Sequence, residues 1–213
     1  MSRPVESNQQ AVILVHGILM KSFMMRLLGH HCKKAGFNVY YYSYPSILGQ
    51  SDANIAGLGN LIDQLQEKTI HLVGHSLGGL ICLEASKQRV VDDKGRVVLL
   101  ASPIRGSVVV RKLSDNLLLK NLLAKARELL VKGVSFVGLS RDIGMIAGTK
   151  AVGISRFLVT IERPCDGVVA VSETLHEACN DKLQLHVSHA GMLLSSQVGE
   201  QVIHFLKHGV FRR

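Results

Sequence analysis

The chain has 213 residues, 47% of them hydrophobic and 19% charged, with a formal net charge of +9. That length suits one domain with a three-layer core, and no stretch reaches the ~20 apolar residues needed to cross a bilayer. Lysines and arginines are dispersed, aromatics make up 5% and tryptophan is absent, so a nucleic-acid stacking surface is not expected.

Residues 1–10 lack the apolar core of a secretion signal, which makes a cytoplasmic location the expectation. Ala11 to His16 is a continuous apolar run, as a central strand buried on both faces requires. Phe23 to Ala35 has helical spacing and Gly36 can close it. Asn38 to Ser43 reads as a strand, and Ile55 to Lys68 as a helix with apolar Ile55, Leu58, Leu61, Ile62 and Leu65. A strand from Thr69 to Val73 leads into Gly74-His75-Ser76-Leu77-Gly78, and a helix continues through Ser86. Further strands are expected at Arg96–Ala101, Met145–Gly148, Leu158–Ile161 and Leu183–Val187, with a closing helix at Val198–Leu206. This alternation predicts an α/β fold: a mostly parallel central sheet with helices on both faces, one domain over residues 1–213.

The G-x-S-x-G pentapeptide gains meaning from lying between a strand and a helix. Such a junction puts Ser76 on a tight bend with its hydroxyl projecting from the sheet edge. The helix that follows aims unpaired N–H groups at any developing oxyanion. A serine hydroxyl needs a base, and the base needs a carboxylate to orient it.

Of ten histidines, His189 follows the Leu183–Val187 strand in a loop that reaches the carboxyl edge; His176 is the runner-up. His186 is read as lying within that strand, and the remaining histidines as surface or structural groups. For the acid, Asp166 stands in a Pro- and Gly-bounded turn after Leu158–Ile161. Glu162, Glu173 and Asp181 are its rivals, read as solvated charges. Backbone N–H groups of Leu77 and of Ile18, after Gly17, are the expected oxyanion donors.

The segment from about 107 to 141 interrupts the alternation and is the candidate for a small helical cap. Leu118, Leu119, Leu122, Leu123, Ala126, Leu129 and Leu130 share one helical face, opposite several basic residues. That face either packs on the sheet or forms a lid over an acyl pocket, with Leu118, Leu122, Leu123 and Leu130 as substrate contacts. The basic side would suit an anionic membrane surface. Cys32, Cys82, Cys165 and Cys179 have no metal-site spacing, so no metal is expected; Cys165 and Cys179 are close enough in sequence to approach one another.

Taken together, Val12–Gly17, Leu72–Leu80, Ala101–Ser107, Asp166–Val169 and Ser188-His189 resemble the bacterial lipase and esterase branch of the α/β-hydrolases. The resemblance spans nearly the whole chain in family order. It implies a three-layer α/β-hydrolase fold and a cofactor-free Ser76–His189–Asp166 triad acting on small-molecule or lipid acyl esters. Where these lipases commonly read G-T-P-H-x-G, this chain has Ser102 and Ile104 for the Thr and His. It also has no calcium-site carboxylate cluster. An intracellular esterase or thioesterase, or a membrane-lipid acyl hydrolase, fits that pattern better than a secreted lipase. An acyltransferase using the same triad and a noncatalytic scaffold on the same fold are the alternatives.

Overall fold

The computed structural model describes residues 10–87, 95–113, 126–152 and 160–213. Its strands are β1 (Gln10–Val15), β2 (Asn38–Tyr42), β3 (Thr69–His75), β4 (Val97–Leu100), β5 (Ile143–Gly148) and β6 (Asp181–Leu185). They form one sheet in the order β2-β1-β3-β4-β5-β6, and every pairing is parallel. The helices of the amino-terminal half are α1 (Arg26–Lys34), α2 (Ser51–Gln64) and α3 (Leu77–Lys87). They are followed by α4 (Val108–Leu113), α5 (Arg127–Lys132), the one-turn α6 (Val171–Thr174) and α7 (Ser196–His208).

Parallel strands covered on both faces need apolar side chains at consecutive positions. In β1, Ala11, Ile13 and Val15 join a core with residues of α2 and α3, while Val12 and Leu14 join a second core with α1 and α7. The same split recurs in β4, where Val97 and Leu99 face one way and Val98 and Leu100 the other. These two cores make the three-layer fold. The chain runs from β1 outward to β2, then returns to β3 on the other side of β1. That reversal opens a crevice beyond the carboxyl ends of β1 and β3, where open α/β sheets bind ligands.

Several boundaries depart from the sequence expectation. The first helix opens as a 3-10 turn over Ser22–Met25, and the second begins at Ser51 and stops at Gln64, because Leu65 is already extended. Val187 N donates to Leu185 O at 2.8 Å, a three-residue turn that takes the chain out of the ladder, so His186 lies beyond β6 rather than inside it. The strand expected at 158–161 does not form where it is described. Thr160 and Ile161 belong to no strand, and Ile161 is buried with Val109, Cys165 and Ala170 instead; Leu158 and Val159 lie outside the described residues.

Of the candidate cap, Ala126 and Leu130 are buried in the core shared with α3, and α5 packs against α4 and α3. Leu118, Leu119, Leu122 and Leu123 lie outside the described residues. No described helix is long and apolar enough to cross a membrane.

His71, in the middle of β3, is buried; its Nδ1 accepts from Arg96 N at 2.9 Å and its Nε2 has no hydrogen-bond partner among the described residues. Burial, then the nearby charges of Arg96 and Arg141, lower its pKa from the usual 6.5 to about 4. The native state therefore refuses a proton that the unfolded chain accepts, and stability present above pH 6.5 is lost as pH falls toward 4. Within that window the loss from one such group approaches about 1.4 kcal/mol per pH unit. Urea unfolding at several pH values should show that decline, and a His71→Ala variant, weaker at neutral pH, should lose less on acidification. Parallel pH curves for the two proteins would refute the assignment.

Candidate active site

Among the described residues, three that are not glycine have positive φ: Leu19 at 59°, Ser76 at 54° and Ala101 at 47°. They follow β1, β3 and β4, so this costly backbone, of order 1–3 kcal/mol each, is gathered along one sheet edge. Ser76 is held there by its own N–H, donating to Leu100 O at 2.8 Å, and by Gly79 N, donating to Ser76 O at 3.1 Å. The flanking glycines allow the bend. A Cβ on Gly74 would collide with the backbone of Gly79, and one on Gly78 with the carbonyls of Val15 and His16. Leu77 opens α3, so its N–H has no acceptor within the helix.

The loop after β1 passes directly over the serine. A Cβ built on Gly17 would stand 3.1 Å from both Ser76 Cβ and His75 Nδ1. That approach puts Ile18, the other expected donor, in the loop beside Ser76. Tyr44 fixes the loop: its hydroxyl donates to His16 O at 2.7 Å, and its ring stacks on His16 at 4.4 Å. His16 Nε2 accepts from Tyr44 N, which leaves the proton on Nδ1 to donate to Gly17 O at 2.9 Å. Burial lowers the His16 pKa and so favours this neutral form. Nothing local in the sequence marks Tyr44; its role exists because β2 lies beside β1.

At the other side of the crevice, Asp166 is fully buried. Its Oδ1 accepts from Val168 N at 2.9 Å and Val169 N at 2.7 Å, while Oδ2 accepts from His189 Nδ1 at 2.6 Å. His189 N also donates to Asp166 O at 3.0 Å, so both backbone and side chain join the two loops. Gly148, at the end of β5, makes room: a Cβ there would press on Asp166 Cβ and Val187 O.

His75 links this pair to the elbow. Its Nε2 donates to His189 O at 2.9 Å, and the two rings lie 4.5 Å apart. Burial, then the neighbouring His189, push its pKa well below the usual 6.5, so it stays neutral. The sequence expectation for His75 is a surface or structural group; the residue is buried and bonds the loop bearing His189.

The rival acids sit elsewhere. Glu173 is buried rather than solvated: its two oxygens accept from Val108 N and Ala170 N, and burial raises its pKa. Asp181 is likewise buried, accepting from Phe211 N and pairing with Arg213. Both readings as solvated charges are corrected by the same cause, backbone donors that replace water. Glu162 is exposed and accepts from Ser172 Oγ. His176 stacks on Phe136 before β6, at the opposite end of that strand from His189.

Ser102 is buried against Gly79 and Ile104 is buried in the core, so both departures from the lipase pattern are packing positions. All four cysteines are buried free thiols, including Cys165 and Cys179. Burial raises Cys32 to about 12 and Cys179 to about 11, which keeps these thiols protonated and unreactive. Among the described residues no group of three or more His, Cys, Asp or Glu is placed to hold a metal.

Comparison with known proteins agrees with this architecture. Over 88% of its length the chain matches a metagenomic carboxyl esterase at 18% identity and a TM-score of 0.68, covering 68% of that protein. A bromoperoxidase from Bacillus anthracis gives a TM-score of 0.66 at 14% identity, covering 93% of this chain and 92% of that one. The pyrethroid hydrolase PytH gives 0.60 at 14% identity, covering 93% and 98%. No curated protein sequence matches significantly. A family model described as the alpha/beta hydrolase family matches residues 12–172. That match runs from β1 into α6, taking in the whole elbow and the Asp166 turn, and on that extent the chain belongs to the alpha/beta hydrolase family.

Proposed function

We propose that the chain is a serine hydrolase that cleaves carboxylic esters through an acyl-enzyme. The observation that carries this reading is the Asp166–His189 pair at 2.6 Å, anchored to the elbow by His75, the residue before Ser76. With Nδ1 engaged by the carboxylate, His189 keeps Nε2 for the serine hydroxyl.

In this mechanism Ser76 Oγ bonds to the ester carbonyl carbon as its proton passes to His189 Nε2. The N–H groups of Leu77 and Ile18 receive the oxyanion. The bond from carbon to the alcohol oxygen then breaks, and the departing alkoxide takes the proton from Nε2. Water repeats the sequence on the acyl-enzyme: His189 takes a proton from the water, the carboxylic acid leaves and Ser76 regains its hydrogen. Asp166 orients His189 and supports the imidazolium in both halves. These steps need only groups of this chain. The carboxyl esterase among the structural neighbours supports the choice of esters.

A fluorophosphonate probe should label the protein at Ser76, identified by peptide mass spectrometry. A series of p-nitrophenyl acyl esters should compete with that labelling and be hydrolysed. A folded protein that neither labels nor turns over any ester of the series would sink the proposal.

A further inference from the structure

Large apolar side chains left in water in a cluster, rather than singly, mark a contact surface. Six stand out: Leu19 (61% exposed), Phe23 (58%), Met24 (37%), Leu27 (39%), Leu48 (76%) and Leu194 (69%). All six lie just beyond the carboxyl ends of β1, β2 or β6, on the edge that carries Ser76. They border two grooves joined through residues 19–24. One, of about 630 Å³, runs between Leu19, Met20 and Pro45 to Leu48; the other, of about 370 Å³, lies between Phe23, Leu27 and Leu194.

The charge nearest them is mainly positive. From Gln10 to Ser51 there is no Asp or Glu, and Lys21 and Arg26 are exposed beside the apolar cluster; Lys33 and Lys34 lie at the far end of α1, and an exposed carboxylate, Asp52, stands in the first turn of α2. The second lining segment, Lys182 to Gly199, also contains no carboxylate. Phe23, in the 3-10 turn, and Leu27, in the first turn of α1, bracket Arg26 in sequence, and all three are exposed.

We propose that this rim docks on an anionic lipid bilayer. The leucines and Phe23 enter the boundary between headgroups and acyl chains, and Lys21 and Arg26 meet lipid phosphates. Docked in this way, the Ser76 edge faces the bilayer. That an acyl lipid then supplies the ester rests on the hydrolase reading above; the docking itself does not. A second copy of the chain is the poorer occupant, because two such rims would oppose Lys21 and Arg26 with like charges that Asp52 offsets only in part.

The test uses full-length protein carrying Ser76→Ala, so that lipid is not consumed, and sedimentation with vesicles of phosphatidylcholine with and without phosphatidylglycerol. The protein should bind the anionic vesicles and be released by salt. The pairs Phe23→Ser with Leu27→Ser, and Lys21→Glu with Arg26→Glu, should each weaken partitioning by roughly tenfold or more. Both pairs are at exposed positions, and an unchanged melting temperature checks that each variant is folded. Three results would overturn the proposal: equal binding to neutral vesicles, binding indifferent to both pairs, or no binding at low salt. Self-association abolished by the Phe23/Leu27 pair, without vesicle binding, would assign the rim to a second copy instead. Docking by a protein that hydrolyses no ester even with Ser76 in place would remove the hydrolase reading and leave this one standing.

Discussion

Ser76→Ala is expected to abolish fluorophosphonate labelling and to lower ester turnover by about 10⁶-fold, the loss typical of removing a serine nucleophile. The elbow should survive. Its two backbone bonds, Ser76 N to Leu100 O and Gly79 N to Ser76 O, do not involve the side chain. Alanine keeps the Cβ and therefore carries the positive φ at no greater steric cost than serine does. Circular dichroism and thermal melting should thus match the parent protein while turnover collapses. Hydrolysis retained at the parent rate would place the nucleophile elsewhere.

Asp166→Asn is expected to lower kcat by roughly 10⁴-fold with the fold intact. The reason lies in how the carboxylate is shared. Oδ1 accepts two backbone N–H groups, from Val168 and Val169, so an asparagine must place its carbonyl oxygen there. Its NH₂ then faces His189 Nδ1, which has to accept instead of donate. The imidazole proton moves to Nε2, the atom that must take the proton from Ser76. The backbone bonds that shape the turn persist, so stability should change little. Glu173→Gln provides the contrast. Its two oxygens each accept a backbone N–H, from Val108 and Ala170, and a glutamine can satisfy only one. That variant should lose about 1–3 kcal/mol of stability while keeping turnover in the fraction that folds. Stability measured by urea unfolding and kcat measured on the folded fraction separate the two effects. The reverse pattern, catalysis lost at Glu173 and spared at Asp166, would transfer the orienting role to Glu173.

The elbow was legible because everything it needs lies within a few consecutive residues. A β-branched run, two small residues and a helix-forming stretch are written side by side from Thr69 to Lys87, and the structure follows them. Strands buried on both faces were legible for a similar reason, since their continuous apolar runs need no knowledge of the neighbour. Asp166 shows where that reasoning thins. Its turn was visible from Pro164 and Gly167, yet the strand thought to precede it is not found at Thr160 and Ile161. What holds the turn is the pair of backbone donors two and three residues on, and the N–H of His189 beyond β6.

Local pattern is enough to set the α/β alternation, the bend at Ser76 and the identity of the side chains able to do acid–base chemistry. Which of these side chains meet depends on how the strands and loops pack together. Tyr44 grips His16 across 28 positions of sequence because β2 lies beside β1, and His75 reaches His189 across 114 because the loop after β6 returns along the carboxyl edge to the end of β3. Glu173 and Asp181 became buried acceptors of backbone hydrogen bonds because Val108 and Phe211, distant in sequence, pack against them. Short-range pattern reports the torsion preferences of neighbouring residues and the side of an element that avoids water. Strand order sets the distance between residues far apart in the chain, and it follows from packing the whole sheet at once.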